Sequence, residues 1–197
     1  MRPLILAAAL AACSPAADGP APTQQSGCAT RAYAEIGGPI SLIDHTGAAR
    51  TEADFKGSPS LVYFGFTYCP DVCPLTLATV ERAFRRLPEG VTPPRTILIS
   101  VDPERDSPEA MKAYIETAAF PDDIVGLTGT QEQVRAAATA FKADYTRIEQ
   151  PESLAEYTMD HTSILYLMDE DWSLKTFFVT HQETDETMAA CLADQLS

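Results

Sequence analysis

The strongest constraint on this chain is a junction: the apolar run Leu61-Val-Tyr-Phe-Gly-Phe66 passes directly into Thr67-Tyr-Cys-Pro-Asp-Val-Cys-Pro74. Six aromatic, branched and small residues of this kind read as a strand buried on both faces. Beyond the junction, Leu77, Val80, Phe84 and Leu87 recur three and four apart, the period of a helix with one apolar face, and Pro88 and Gly90 stop it. Both cysteines therefore fall where a buried strand turns into a helix. In open α/β sheets that edge is where ligands are held. A helix N-terminus also favours anions, which stabilises a thiolate there, and Pro70 and Pro74 suit a helix start better than a helix interior.

The remaining pattern alternates. Pro39 to Ile43 reads as a short strand closed by the turn Asp44-His-Thr-Gly47, and Thr96 to Val101 as a second buried strand. Ser107-Pro108 caps a helix expected to run to about Ala118, Ile124 to Leu127 is a short strand, and Thr130 to Gln133 is a capping box for a helix to about Phe141. Ser163 to Met168 and Leu174 to Val179 form a hairpin around an acidic turn, and Thr184 caps a last helix to about Leu196. Helical crossovers between the early strands predict a parallel core with helices on both faces, and the late hairpin adds antiparallel strands. The outline is α/β, a thioredoxin-like three-layer sandwich with a mixed central sheet, although the pattern alone also fits other mixed α/β folds.

The chain of 197 residues is long enough for one well-buried domain, and its 45% hydrophobic and 21% charged residues suit a globular protein. Its only long apolar run, Leu4 to Ala12, is too short to cross a bilayer. That run follows Arg2 and ends in Leu10-Ala-Ala-Cys13, the layout of a secretory signal. The ending resembles the lipobox of bacterial lipoproteins, which implies that Cys13 is acylated and becomes the mature N-terminus. The alternative is an ordinary signal cut among the alanines, with Cys13 incidental; both routes export the protein. The expected organisation is a signal peptide at 1–12, a flexible tether at 13–35 and the folded domain at 36–197. A net charge of −14, from 28 acidic and 14 basic residues, disfavours nucleic acid and otherwise reads as a solvated acidic surface.

With Cys13 assigned to lipid, Cys28, Cys69, Cys73 and Cys191 remain for an oxidising compartment. Cys28 and Cys191 are placed either to staple the two ends of the mature chain or to stay as two unpaired thiols. Cys69 and Cys73 are separated by three residues, one more than in thioredoxin-type oxidoreductases. Four apart on a regular helix, their Cβ atoms would stand about 6 Å apart, whereas a disulfide wants about 4 Å. Two sulfurs held this way can grip a soft metal, Cu(I) or Zn, and a nearby imidazole can complete the site. Of the three histidines, His161 lies in Met159-Asp-His-Thr-Ser163 before an expected central strand, where a thioredoxin-like fold would face it to the cysteine loop; Asp160 is a candidate to orient its ring. His45 and His181 read as turn or surface residues.

Five stretches make the chain resemble the SCO/SenC family of copper proteins required for cytochrome c oxidase assembly. They are Ser41-Leu-Ile-Asp-His-Thr-Gly47, Tyr63-Phe-Gly-Phe-Thr-Tyr-Cys-Pro-Asp-Val-Cys-Pro74, Ser100-Val-Asp-Pro-Glu-Arg-Asp106, Gly126-Leu-Thr-Gly129 and Asp160-His-Thr-Ser163. The resemblance spans about Gly38 to Phe178. It implies a thioredoxin-like fold with an extra hairpin near its start, and Cu(I) or Cu(II) ligated by Cys69, Cys73 and His161. The implied recipient is the dinuclear copper centre of oxidase subunit II, with a periplasmic thioredoxin-like reductant or a second copper carrier as further partners. Family members are commonly anchored by a transmembrane helix, whereas this chain reads as a periplasmic lipoprotein.

The same two thiols also suit a thiol–disulfide oxidoreductase acting on oxidase cysteines or in redox signalling. A peroxidase fits less well, since the motif supplies Asp71 where an activated thiolate wants a cation. A structural zinc site fits poorly because three ligands rarely close one. Asp71 and Asp102 read either as residues that shape the site electrostatically or as mere caps or turn residues, Met159 and Met168 as packed or exposed residues rather than the soft copper ligands their sulfurs would allow, and Trp172 as a residue of the hairpin turn. No phosphate loop, nucleotide fingerprint or serine-hydrolase elbow is present.

Overall fold

The computed structural model describes Cys28 and residues 35–197; the expected leader, Cys13 and most of the tether lie outside the described residues. The apolar run that opens the junction becomes strand β3 (Ser60–Gly65), with all six residues buried. Around it β1 (Ser41–Asp44), β2 (Ala49–Thr51), β4 (Arg95–Ser100), β5 (Ile124–Thr128), β8 (Ile164–Met168) and β9 (Leu174–Val179) form one sheet in the order β2-β1-β5-β4-β3-β8-β9. β3, β4 and β5 run parallel. β1 runs antiparallel to β5, β8 antiparallel to β3, and β9 antiparallel to β8. The expected N-terminal hairpin is β1–β2, paired from Ser41 with Thr51 to Ile43 with Ala49.

Side-chain alternation along β3 divides the core between the two faces. A Cβ built on Gly65 would touch Cys73 Sγ, Leu98 and Tyr63, and one on Gly126 would touch Met111 and Ile115. That face is covered by α1 (Val72–Phe84) and α2 (Pro108–Ile115), with α4 (Asp185–Leu196) packed on α1. On the opposite face Phe64, Phe141 and Tyr166 pack edge to face, below the end of α3 (Gln131–Ala140). Both sides of β3 are thereby closed off from water, which is why its sequence is apolar without alternation.

Two helices end earlier than their apolar spacing predicts. α1 stops at Phe84, and Leu87 caps a tighter turn by donating its N–H to the Phe84 carbonyl; Pro88 disfavours helical backbone at the residue before it. α2 stops at Ile115, where Glu116 swings to ψ 63°. Trp172, read as a turn residue only, is an anchor. It is 6% exposed, stacks on Phe55 with centroids 5.7 Å apart, and donates its indole N–H to the Gly38 carbonyl at 2.9 Å.

One element has no counterpart in the sequence reading. β6 (Tyr145–Glu149) and β7 (Tyr157–His161) form a separate two-stranded antiparallel sheet, so His161 ends a strand rather than lying in a loop. β6 is exposed at four of its five positions and carries charges, so it shows no apolar signal. Cys28 and Cys191 are joined by a disulfide across a sequence separation of 163, tying the chain ahead of β1 to the buried face of α4.

Candidate metal centre

The cysteines and the histidine meet because of strand direction. β3 ends at Gly65 and delivers the chain through Thr67 and Tyr68 to Cys69; β8, antiparallel to it, begins at the same edge, with Leu165 opposite Tyr63. His161 lies three residues before β8 and so arrives beside the cysteine loop although 88 residues separate it from Cys73.

The cysteine loop is built from below. Asp71 is the N-cap of α1, its Oδ1 accepting from Val72 N–H at 2.7 Å. Cys69 is half-buried and its sulfur accepts the Cys73 N–H at 3.2 Å, one of the free donors of the helix start. Cys73 is fully buried, and the Tyr63 hydroxyl donates to its sulfur at 3.8 Å. Gly65 leaves the space that this sulfur occupies, since a Cβ there would lie 3.1 Å from it. Thr67 is fixed by the buried Asp106, which accepts from Thr67 N–H at 3.1 Å, Thr67 Oγ1 at 2.6 Å and Ser100 Oγ at 2.6 Å. Burial pushes the Asp106 carboxyl up, against the downward pull of these bonds.

The two thiols behave as a pair holding one proton. Hydrogen bonding from Cys73 lowers Cys69 to about 4, with His161 and the backbone N–H groups of Cys73 and Asp71 adding to the effect against burial. The same bond to Cys69, together with burial, pushes Cys73 up. Cys69 is thus the more acidic of the two thiols and Cys73 the less.

His161 Nε2 stands 3.7 Å from Cys73 Sγ, while Nδ1 faces the Thr162 carbonyl at 3.2 Å. A carbonyl only accepts, so Nδ1 carries a proton and donates it there, while Nε2 faces the sulfurs. The orienting partner is therefore this carbonyl. Asp160, the expected partner, sits exposed on β7 opposite Thr146. The ring is also flanked edge-on by Phe66 and Tyr63, with centroids 5.9 Å and 6.0 Å away.

Two donors at thiolate and imidazole bond lengths of about 2.3 and 2.0 Å, set about 120° apart around one ion, stand about 3.7 Å from each other, matching the sulfur–nitrogen edge. Among the described residues no group of three or more His, Cys, Asp or Glu stands together in a way that could hold a metal ion. Cys69 and His161 border a cleft of about 250 Å³ lined also by Pro70, Val72 and Met159, with Cys73 buried behind it. Of the other residues singled out, Asp102 is buried and bonded, His45 accepts from Gly126 N–H at 3.3 Å, and Met159 and Met168 are packed in the core. His181 lies in a short 3-10 turn, exposed. Gly65 and Arg105 escaped the sequence reading; the only signal for either was its place inside the stretches that carry the resemblance.

A mixed sheet of this order, with helices on both faces and a cysteine pair where the central strand meets its helix, defines a thioredoxin-like protein with a thiol-and-imidazole edge site. The SCO1/SenC family profile matches residues 29–197, and the chain belongs to that family. It is 38% identical over 157 residues to the human mitochondrial SCO1 homolog, covering 79% of this chain and 51% of that protein. The chain spans about half the length of the first curated relatives it matches. Bradyrhizobium japonicum ScoI, solved with copper bound, is 37% identical, with a TM-score of 0.70 over 82% of this chain and 99% of that one. Arabidopsis thaliana ScoI, also with copper bound, is 31% identical, with a TM-score of 0.75 over 81% and 97%. Two more distant structures share the fold: a SCO1/SenC family lipoprotein from Bacillus anthracis, 20% identical, and BsSco, a member of the Sco family of cytochrome c oxidase assembly proteins, 24% identical. Among the described residues no helix is long and apolar enough to cross a membrane.

Proposed function

We propose that this protein is a copper carrier that takes the ion on Cys69, Cys73 and His161 and passes it to the dinuclear centre of cytochrome c oxidase subunit II. The observation that carries the reading is the meeting of His161 Nε2 with the Cys73 sulfur at 3.7 Å, beside a Cys69 whose sulfur accepts the Cys73 N–H and whose thiol is held below its ordinary range. Thiolates suit Cu(I), and the imidazole adds the nitrogen that Cu(II) favours. Structures of relatives at 31% and 37% identity are solved with copper bound, which supports the metal. A three-donor site leaves the ion open to an incoming ligand, so transfer runs by exchange of one donor at a time. The Leu-Ala-Ala-Cys13 sequence supports a lipid-anchored, periplasmic protein with a signal peptide at 1–12, a tether at 13–35 and the domain at 36–197.

The test is titration of the purified, reduced protein with Cu(I) and with Cu(II). One ion per chain is expected, lost in Cys69→Ala and in Cys73→Ala, with His161→Ala weakening Cu(II) far more than Cu(I). Absence of stoichiometric copper in the unsubstituted protein would sink the assignment.

A second reading rests on the uneven proton sharing of the pair. A low-lying Cys69 thiolate beside a protonated Cys73 is the arrangement of an attacking thiol and its resolving partner. Disulfide reduction by metal-free protein, undiminished in His161→Ala, would favour that activity.

A further inference from the structure

The segment between β4 and α2 touches both halves of the site without supplying a donor to it. Asp106 holds the cysteine loop through Thr67. Its neighbour Arg105, only 15% exposed, lays its guanidinium 4.6 Å from the ring centre of Tyr68 and 3.6 Å from that of Tyr157. Tyr68 immediately precedes Cys69; Tyr157 begins the strand that ends at His161. Arg105 Nη1 donates to the carbonyls of Ala155 and Tyr157 at 3.3 and 3.1 Å, and its Nε pairs with Asp102. Asp102 in turn accepts the Tyr157 hydroxyl at 2.8 Å. Nη2 is buried with no hydrogen-bond partner. Arg147 also lies 3.6 Å from the Tyr157 ring centre, and two guanidiniums cannot share one face at that distance, so Tyr157 is clasped from both sides. Arg147 is tied by Glu104, at 2.9 Å, to the same segment.

We propose that Arg105 is a positioning residue for copper: it locks the β6–β7 hairpin against the cysteine loop and so sets His161 Nε2 opposite Cys73. The inference rests on reading the trio as a copper site. A two-stranded ribbon is marginal by itself and needs packing to hold one orientation. Here the packing at its turn end, on the strand that carries His161 four residues further on, is a stacked cation with two backbone acceptors, a role that needs a planar group with several donors; a lysine offers neither. Cu(I) is satisfied by two thiolates, so misplacing the imidazole penalises Cu(II) selectively.

The experiment compares the full protein with Arg105→Ala, Arg105→Lys and Tyr157→Leu, alone and combined with His161→Ala. Cu(II) affinity should fall roughly 10- to 100-fold in each single variant, the scale found when a ligand's supporting partner is removed. The Cu(II) spectrum should move towards that of His161→Ala, Cu(I) affinity should hold within about threefold of the unsubstituted protein, and lysine should not rescue. In the His161→Ala background the Arg105 substitution should add nothing. Copper-free protein gives an independent reading by NMR, since the shifts that the Phe66 and Tyr63 rings impose on His161 should shrink in Arg105→Ala. Tyr157→Leu approaches the same clasp from the hairpin side and carries the test if Arg105→Ala does not fold. Unchanged Cu(II) affinity and unchanged His161 shifts would overturn the proposal, as would a loss that persists undiminished without His161. If the unsubstituted protein binds no copper, the carrier reading fails, and the NMR comparison still decides whether Arg105 positions the ring.

Discussion

The cysteine loop and the histidine hairpin bring their donors to one point from very different supports. The loop stands on β3, buried on both faces, and is held from below by Gly65, Tyr63, Asp106 and the start of α1. The hairpin belongs to a two-stranded sheet with an exposed first strand, fastened through Arg105, Asp102 and Arg147. One half of the site is set by the core and the other by a surface clasp. The pair of thiols is the core-held part and the imidazole the clasped one.

The largest stability effect should come from a bond that belongs to neither half. Converting both Cys28 and Cys191 to serine frees a loop of about 163 residues, and the chain-entropy account puts the loss at about 5 kcal/mol. Denaturant unfolding measures it. Copper stoichiometry should survive under native conditions, and its loss would show that the cysteine loop depends on this staple as well as on the core. Next, Leu98→Ala opens space under Gly65 and should cost about 2–5 kcal/mol. By contrast, Ile148→Ala on the hairpin, where the side chain is 44% exposed, should stay within about 0.5 kcal/mol. Similar costs at the two positions would erase the distinction between core-built and clasped halves.

A subtler test asks whether the core-held half keeps its uneven protonation. In reduced, metal-free protein, iodoacetamide at pH 6 should modify Cys69 and spare the buried, protonated Cys73, and the Cys69 rate should fall as the pH drops through about 4. The linkage has a definite sign. The Cys69 value lies below that of an unfolded thiol, so its contribution to stability is complete above about pH 9 and is lost as the pH falls towards 4. Cys73, pushed up, acts oppositely above that range. Equal alkylation of both thiols at pH 6 would remove the case for a thiolate–thiol pair. The smallest effect is expected from Asp160→Asn, an exposed position that should leave Cu(II) affinity within about twofold, because the ring is oriented by the Thr162 carbonyl rather than by this carboxylate.

Much of the frame was legible because its signals are local. The apolar run at 61–66, the capping residues Ser107, Thr130 and Thr184, and the turn before β9 each announce an element within a few residues, and the structure has them. The β6–β7 hairpin was not legible: Tyr145-Thr-Arg-Ile-Glu149 buries only its first residue, so no alternation separates it from a polar loop. Trp172 was misread for a similar reason. A turn residue with φ +68° gives no hint that its ring reaches back to Phe55 and Gly38.

By itself the sequence determined the chemistry on offer: two thiols at a strand–helix junction, an imidazole before another strand, and a second cysteine pair near the ends of the domain. Only the tertiary structure decided the partnerships. It joined Cys28 to Cys191, gave His161 its proton on Nδ1 through the Thr162 carbonyl, and put Arg105 between Tyr68 and Tyr157. The physical reason is that residue types and short-range periodicity are written along the chain, whereas which groups touch depends on strand direction and sheet order. Those are settled only when the whole core closes.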